Sequence, residues 1–374
     1  MQASWISFVA AAAALAQPAP IQERLQGFVD RQQVAGVTAV YTCNGKTFGP
    51  LAVGFQDAPQ KKAMRPDSLF QIMSMTKPVT ALGILMLAEE GKLSVNDPLE
   101  RHLPQFKNVN PKGKAPTLRD LLTHTSGIIG NPPESSMPGF YQKLDKSLAE
   151  AVDLYAQKQV EFEPGSKWMY SNPGIAILGR VIEVASGQSY EQFLAARIFT
   201  PLGMKDTHFF VPASKHDRVA LVHESRAGKL QYAPATILGG DSREFRKGAK
   251  YPAPEFGLYS TATDLNTLYQ ALLNGKLLSK PAREVMATPH TAGIQAGWHT
   301  GTGFGLGWEV VNQPAGQLVF HSPGTYLHGG AFGTYGWIDP VKKLTGVFLV
   351  QSTGGGSNQA RDAFIQMASA SCEY

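Results

Sequence analysis

The stretch from Thr76 to Glu90 constrains the fold most. Val79, Leu82, Ile84, Leu85, Met86 and Leu87 put apolar groups on nearly every side of a helix. A helix that is apolar all round belongs inside a protein. Pro78 is tolerated only in a first turn, which sets the helix start at about Ser74, and Gly91 ends it. The chain can build a core to hold this helix: 43% of its 374 residues are apolar and only 17% are charged. That balance excludes a disordered chain and a small scaffold held by disulfides.

Around this helix the pattern changes twice. A short amphipathic helix at Ile21 to Gln33 precedes a β-hairpin, Val37 to Tyr41 and Thr47 onward, turned at Asn44-Gly45. Phe70 to Ile72 reads as a short strand leading into Ser74. Helices are expected at Leu118 to Thr123, Leu148 to Gln157, Pro173 to Ser186 and Tyr190 to Ile198. A capping box at Thr261 to Asp264 opens another. The loop from 226 to 256 reads as a polar surface excursion near the site. Strands return at Gly305 to Val311, Leu318 to His321, Ala331 to Ile338 and Leu344 to Val350, and Asn358 to Ala370 closes the chain as a helix. Strands at both ends with helices between predict an α/β fold of the α+β type. Its mostly antiparallel sheet is flanked by N- and C-terminal helices. The expected division is 17–80 plus 291–374 for the sheet, 81–290 for an inserted helical subdomain, and one catalytic unit overall.

Several classes are excluded. Lys+Arg 34 against Asp+Glu 29 gives a net charge of +5, with no basic stripe to bind nucleic acid. Residues 1–16 read as a signal peptide, with an apolar run from Trp5 and Ala14-Leu15-Ala16 before Gln17. That predicts a periplasmic or secreted protein. The run is too short to span a bilayer, and no other stretch is a better candidate. Cys43 and Cys372 could bridge in an oxidising compartment, but two cysteines are too few for a framework and are expected to be unpaired thiols. No metal or cofactor is indicated.

Three short boxes carry chemistry. Ser74-Met75-Thr76-Lys77 puts a hydroxyl and an amine at i and i+3, on one face of a helix. A buried lysine of lowered pKa can take the serine proton, and the helix amino terminus aims N–H groups at a developing oxyanion. Tyr170-Ser171-Asn172 offers a phenol as general base or acid and an amide to hold Lys77 and a substrate carbonyl. His328-Gly329-Gly330-Ala331, read as entering the strand to Ile338, offers a backbone N–H and room for close approach.

Together these boxes resemble the serine β-lactamase and penicillin-binding-protein superfamily, in its class C β-lactamase-like esterase branch. Gln71 to Thr80, Leu121 to Gly127 and Pro201 to Met204 extend the resemblance, which runs through about residues 22 to 370. It implies Ser74 as the acylated nucleophile, activated by Lys77 and Tyr170. It implies Asn172 to position Lys77 and the acyl group, and an oxyanion hole from the N–H groups of Ser74 and Ala331. His328 stands where the lactamases carry the lysine that binds a substrate carboxylate. An ordinary histidine is mostly neutral at pH 7 and charged below about pH 6. A site so built is expected to prefer esters without an obligatory carboxylate. The implied activity is hydrolysis of short-chain esters, with a small-molecule ester or amide substrate as the implied partner. The alternatives are a β-lactamase, a D,D-carboxypeptidase or D-aminopeptidase, and a penicillin-recognising sensor that does not turn over. No G-x-S-x-G elbow occurs, which excludes an α/β-hydrolase.

Overall fold

The computed structural model describes residues 18–372. The segment read as a signal peptide lies outside them. An eight-stranded antiparallel sheet runs in the order Lys62–Ala63, Lys46–Asp57, Gly36–Cys43, Leu344–Val350, Tyr335–Asp339, Tyr326–Gly329, Glu309–Val311 and Thr302–Phe304. Its centre joins the two ends of the chain: Val37 lies opposite Val350, and Cys43 opposite Leu344. Asn44 (φ 49°) and Gly45 (φ 81°) make the tight turn of the first hairpin, where both central residues need positive φ. The α+β class expected from the sequence is therefore the one observed.

Every residue of Gly36–Cys43 and Leu344–Val350 is buried, so both faces of the central strands are covered. On one face lie the helices Pro18–Asp30 and Gly356–Ala370, where Leu25, Phe28 and Phe364 pack with Tyr41 and Trp337. On the other lie Thr76–Glu89 and Ala262–Leu273, continuous with the larger core. Thr76 through Leu87 are all buried, as an all-round apolar helix requires. No helix among the described residues is long and apolar enough to cross a membrane.

The structure corrects several expectations. Cys43 and Cys372 are not free thiols but a disulfide, with Cα atoms 5.6 Å apart and a sequence separation of 329. The hairpin turn and the end of the closing helix meet there. Residues Leu318 to His321 form no strand; Gly316–Leu318 is a 3₁₀ turn, in a stretch punctuated by Pro314, Pro323 and Gly324 at φ 86°. The run from Ala331 starts as a turn, because Gly333 sits at φ 88°, and becomes strand only at Tyr335. His328 thus ends one strand rather than entering another. Gly305 to Trp308 is likewise a turn between two short strands. At Tyr190 the α-helix stops at Leu194 and continues as a wider π turn, Ala195–Phe199. Only half of the capping box forms: Thr261 Oγ1 accepts from Asp264 N–H, while the Asp264 carboxylate accepts from Asp206 N–H and Thr207. Finally, the loop from 226 to 256 is not all surface, since Tyr251 to Phe256 are buried beside the nucleophile helix.

Candidate active site

A 3₁₀ turn, Met73–Met75, delivers Ser74 to the start of the buried helix, two residues before the α-helix proper begins. Met73 sits in the left-handed region at φ 53°. That costs a residue with a Cβ about 1–2 kcal/mol. The turn from Gly330 to Thr334 clamps it. Thr334 Oγ1 donates to the Ile72 carbonyl at 2.9 Å, and a Cβ on Gly330 would stand 2.5 Å from that same oxygen. Gly330 is therefore glycine because the nucleophile turn presses on its backbone.

Lys77 is fully buried and its Nζ donates to three oxygens. These are Ser74 Oγ at 3.2 Å, Asn172 Oδ1 at 2.8 Å and the Glu255 carbonyl at 2.7 Å. Burial pulls Lys77 down to about 7, against the pull of the Glu255 carboxylate. Nζ also lies 4.6 Å from the centre of the Tyr170 ring. Burial holds the Tyr170 phenol well above its ordinary range, opposed by a hydrogen bond with Ser74. Near neutral pH the arrangement therefore offers an amine that can be neutral beside a phenol that keeps its proton.

Local folding sets the second box. Ser171 caps the helix Asn172–Ser186, accepting from Gly174 N–H at 2.9 Å and donating to the Ile129 carbonyl at 2.6 Å. That fixes Tyr170 just before the cap and Asn172 just after it. Asn172 Nδ2 donates to Asn131 Oδ1 at 3.0 Å, so its amide is held from both ends. His124, at φ 59°, ends the short helix Leu118–Leu122 and braces this loop. Its Nδ1 accepts from Ser171 N–H at 3.2 Å and its ring lies 4.5 Å from that of Tyr170. Burial, with Lys77 and His328 nearby, holds His124 neutral.

The third box forms a wall. Ser74, Tyr170, His328, Gly329, Gly330 and Ala331 line one cavity of about 530 Å³. The Ala331 N–H finds no backbone acceptor among the described residues. His328 is buried and brought down to about 4, chiefly by burial and then by Lys77. It donates Nδ1–H to the Gly329 carbonyl at 2.7 Å in its neutral form. The expectation that His328 charges below about pH 6 is thereby corrected.

Three more residues at this site carried no sequence signal. Trp298, half exposed, lines the cavity edge-on to Tyr170 at 4.8 Å and to His328 at 5.5 Å. Glu309, fully buried, holds the Trp298 loop by accepting from the N–H groups of Trp298 and His299 at 2.9 and 3.0 Å. Glu255 sits behind Lys77. All three are reached through loops or single strand positions, without periodicity or spacing to mark them. Among the described residues no group of three or more His, Cys, Asp or Glu could hold a metal ion.

Comparison with known proteins places this geometry in context. The family described as Beta-lactamase matches residues 21–370. Esterase EstB of Burkholderia gladioli is 29% identical over 90% of this chain and 92% of its own length. Penicillin-binding protein 4* of Bacillus subtilis is 31% identical over 72% of this chain and 59% of its own. Among solved structures, EstCE1, described as a hydrolase with promiscuous acyltransferase activity, superposes with a TM-score of 0.80 at 25% identity, over 93% of this chain and 98% of its own. A serine and a lysine in hydrogen-bond contact at the head of a buried helix, a tyrosine over the amine and a match through nearly the whole chain lead to one conclusion: the chain belongs to the beta-lactamase family and is a serine hydrolase.

Proposed function

We propose that the chain hydrolyses short-chain carboxylic esters through an acyl-enzyme on Ser74. The observation that carries this is the contact of Ser74 Oγ with a buried Lys77 whose amine is brought to about 7. Neutral Lys77 takes the Ser74 proton as Oγ attacks the ester carbonyl. The N–H groups of Ser74 and Ala331 receive the oxyanion. Tyr170 gives its proton to the departing alkoxide and regains one from Lys77. In the second half the same groups take a proton from water as it attacks the acyl carbonyl, and return it to Ser74 Oγ as the acyl–oxygen bond breaks and the carboxylic acid leaves. A neutral His328 and an apolar Trp298 at the cavity support an ester without an obligatory carboxylate. Esterase EstB, similar along almost the whole chain, agrees in reaction type. The disulfide supports maturation outside a reducing cytosol, and hence a periplasmic or secreted protein.

Side-by-side turnover of p-nitrophenyl butyrate, nitrocefin and a D-amino-acid amide tests the reading. The ester is expected to be the best substrate by kcat/KM; a preference for either of the others overturns it. Lys77→Ala and Tyr170→Phe are each expected to cost on the order of 10²-fold or more in kcat/KM. Lys77→Ala also empties a buried position beside Glu255, so its melting temperature falls, whereas Tyr170→Phe keeps its packing. Wild-type rates near neutral for either variant would break this proton path.

Substrate selectivity gives a further check. Since His328 stays neutral until about pH 4, the ratio of nitrocefin to ester hydrolysis is expected to be flat from pH 5 to 8. A ratio that climbs below pH 6 would mean that the imidazole charges as an exposed one does.

A further inference from the structure

Behind Lys77, away from the cavity, the chain from Tyr251 to Leu258 is stitched along the nucleophile helix. The Pro254 carbonyl accepts from Thr80 Oγ1 at 2.7 Å, and the Glu255 carbonyl accepts from Lys77 Nζ at the same distance. Leu258 N–H donates to Thr76 Oγ1 at 3.2 Å. The turn is tight: Gly257 N–H reaches the Ala253 carbonyl at 2.6 Å, and a Cβ on Gly257 would collide with the Pro252 carbonyl oxygen. This clamp holds the Glu255 side chain with no exposure to solvent and outside the residues that line the substrate cavity.

A carboxylate in such a place is costly unless it is compensated. The Tyr251 hydroxyl lies 3.0 and 3.1 Å from its two oxygens. Tyr141 from the helix Phe140–Lys143 and Tyr155 from the helix Leu148–Tyr155 face it, as do Tyr170 and Tyr190 at greater remove. Two cations feel its charge. One is Arg246, already engaged with the Gly257 carbonyl at 2.6 Å and Gln71 Oε1 at 2.9 Å. The other is Lys77, which has Ser74, Asn172, Tyr170 and the neutral His124 and His328 as its remaining neighbours.

We propose that Glu255 is a positioning residue for Ser74 acylation: the buried counter-charge that sets how much of Lys77 is neutral, acting through Lys77 and never touching substrate. The proposal rests on Lys77 being the base for Ser74. Its carboxylate favours the ammonium form of Lys77, so the amine keeps its proton to higher pH than burial alone would allow. A proton on either partner is felt by the other, and the two titrate as a unit. The main-chain carbonyl supplies the hydrogen bond and the side chain supplies the charge, so a substitution can remove the second and keep the first.

The test is the pH dependence of Ser74 labelling by a fluorophosphonate, followed by intact mass on the full chain, in wild type, Glu255→Gln and Tyr251→Phe. Without the negative charge Lys77 loses its proton more easily, so the acid limb of the labelling rate moves to lower pH. A shift of at least about half a unit is expected for Glu255→Gln, with a plateau rate within about threefold of wild type, since a shift of one unit is a tenfold change in the protonation equilibrium. Tyr251→Phe weakens the anionic form of Glu255 and is expected to shift the limb the same way by less. An acid limb that stays in place in folded Glu255→Gln overturns the proposal, even if that variant melts earlier, because a packing role would move the melt alone. Should Glu255→Gln not fold, Tyr251→Phe decides by the same criterion. Wild type that fails to label at Ser74 would instead overturn the esterase reading itself.

Discussion

Replacement of Ser74 by alanine is expected to remove ester hydrolysis to background, a loss on the order of 10⁴-fold or more, as when a covalent nucleophile is deleted. Labelling by a fluorophosphonate should vanish with it. The fold should not suffer. Ser74 Oγ takes only one of three hydrogen bonds from Lys77 Nζ, and the Asn172 and Glu255 oxygens at 2.8 and 2.7 Å remain. The left-handed residue is Met73, whose conformation does not depend on the hydroxyl. A melting temperature within a few degrees of wild type, together with lost turnover, would separate chemistry from stability. Residual labelling on another serine would move the nucleophile elsewhere.

The second large effect is on stability. The Cys43–Cys372 bridge closes a loop of 329 residues. In the loop-entropy account a closure of this length is worth roughly 4–6 kcal/mol, a large share of the stability of an ordinary domain. Cys372→Ser, or reduction of the native protein, is expected to lower the melting temperature by roughly 5–8 °C for a chain of this size. Activity at 25 °C should stay near wild type, because neither cysteine lines the cavity. A thermal scan with and without reductant checks it. Equal melting temperatures would mean that the thiols are unpaired in solution.

What the sequence revealed follows from how local each signal is. Ser74 with Lys77, and Tyr170 with Asn172, lie within a few residues of one another on elements whose periodicity is strong. The buried helix was readable because apolar residues from Val79 to Leu87 surround nearly all of it. Asn44-Gly45 was readable because few dipeptides tolerate two positive φ angles. The strand run from Ala331 misled because apolar residues continue through the turn that Gly333 makes; the glycine was the only mark of it. The thiols were misjudged because their number says nothing of where two chain ends meet. Glu255 was invisible for a different reason: it is a lone carboxylate in a loop without periodicity, and only the packing of helices around it encloses it.

The central strand pair has a consequence in time. Gly36–Cys43 finds its partner Leu344–Val350 roughly three hundred residues later, and ordering across such separations is slow. A nascent chain that has already exposed Ser74, Lys77 and Tyr170 still lacks the strand Tyr326–Gly329 and the turn that clamps Met73. The wall carrying Ala331 arrives long after Tyr170 in the chain. Competence to acylate therefore waits for these later segments, and a chain interrupted before them carries its reactive side chains without a cavity in which to use them.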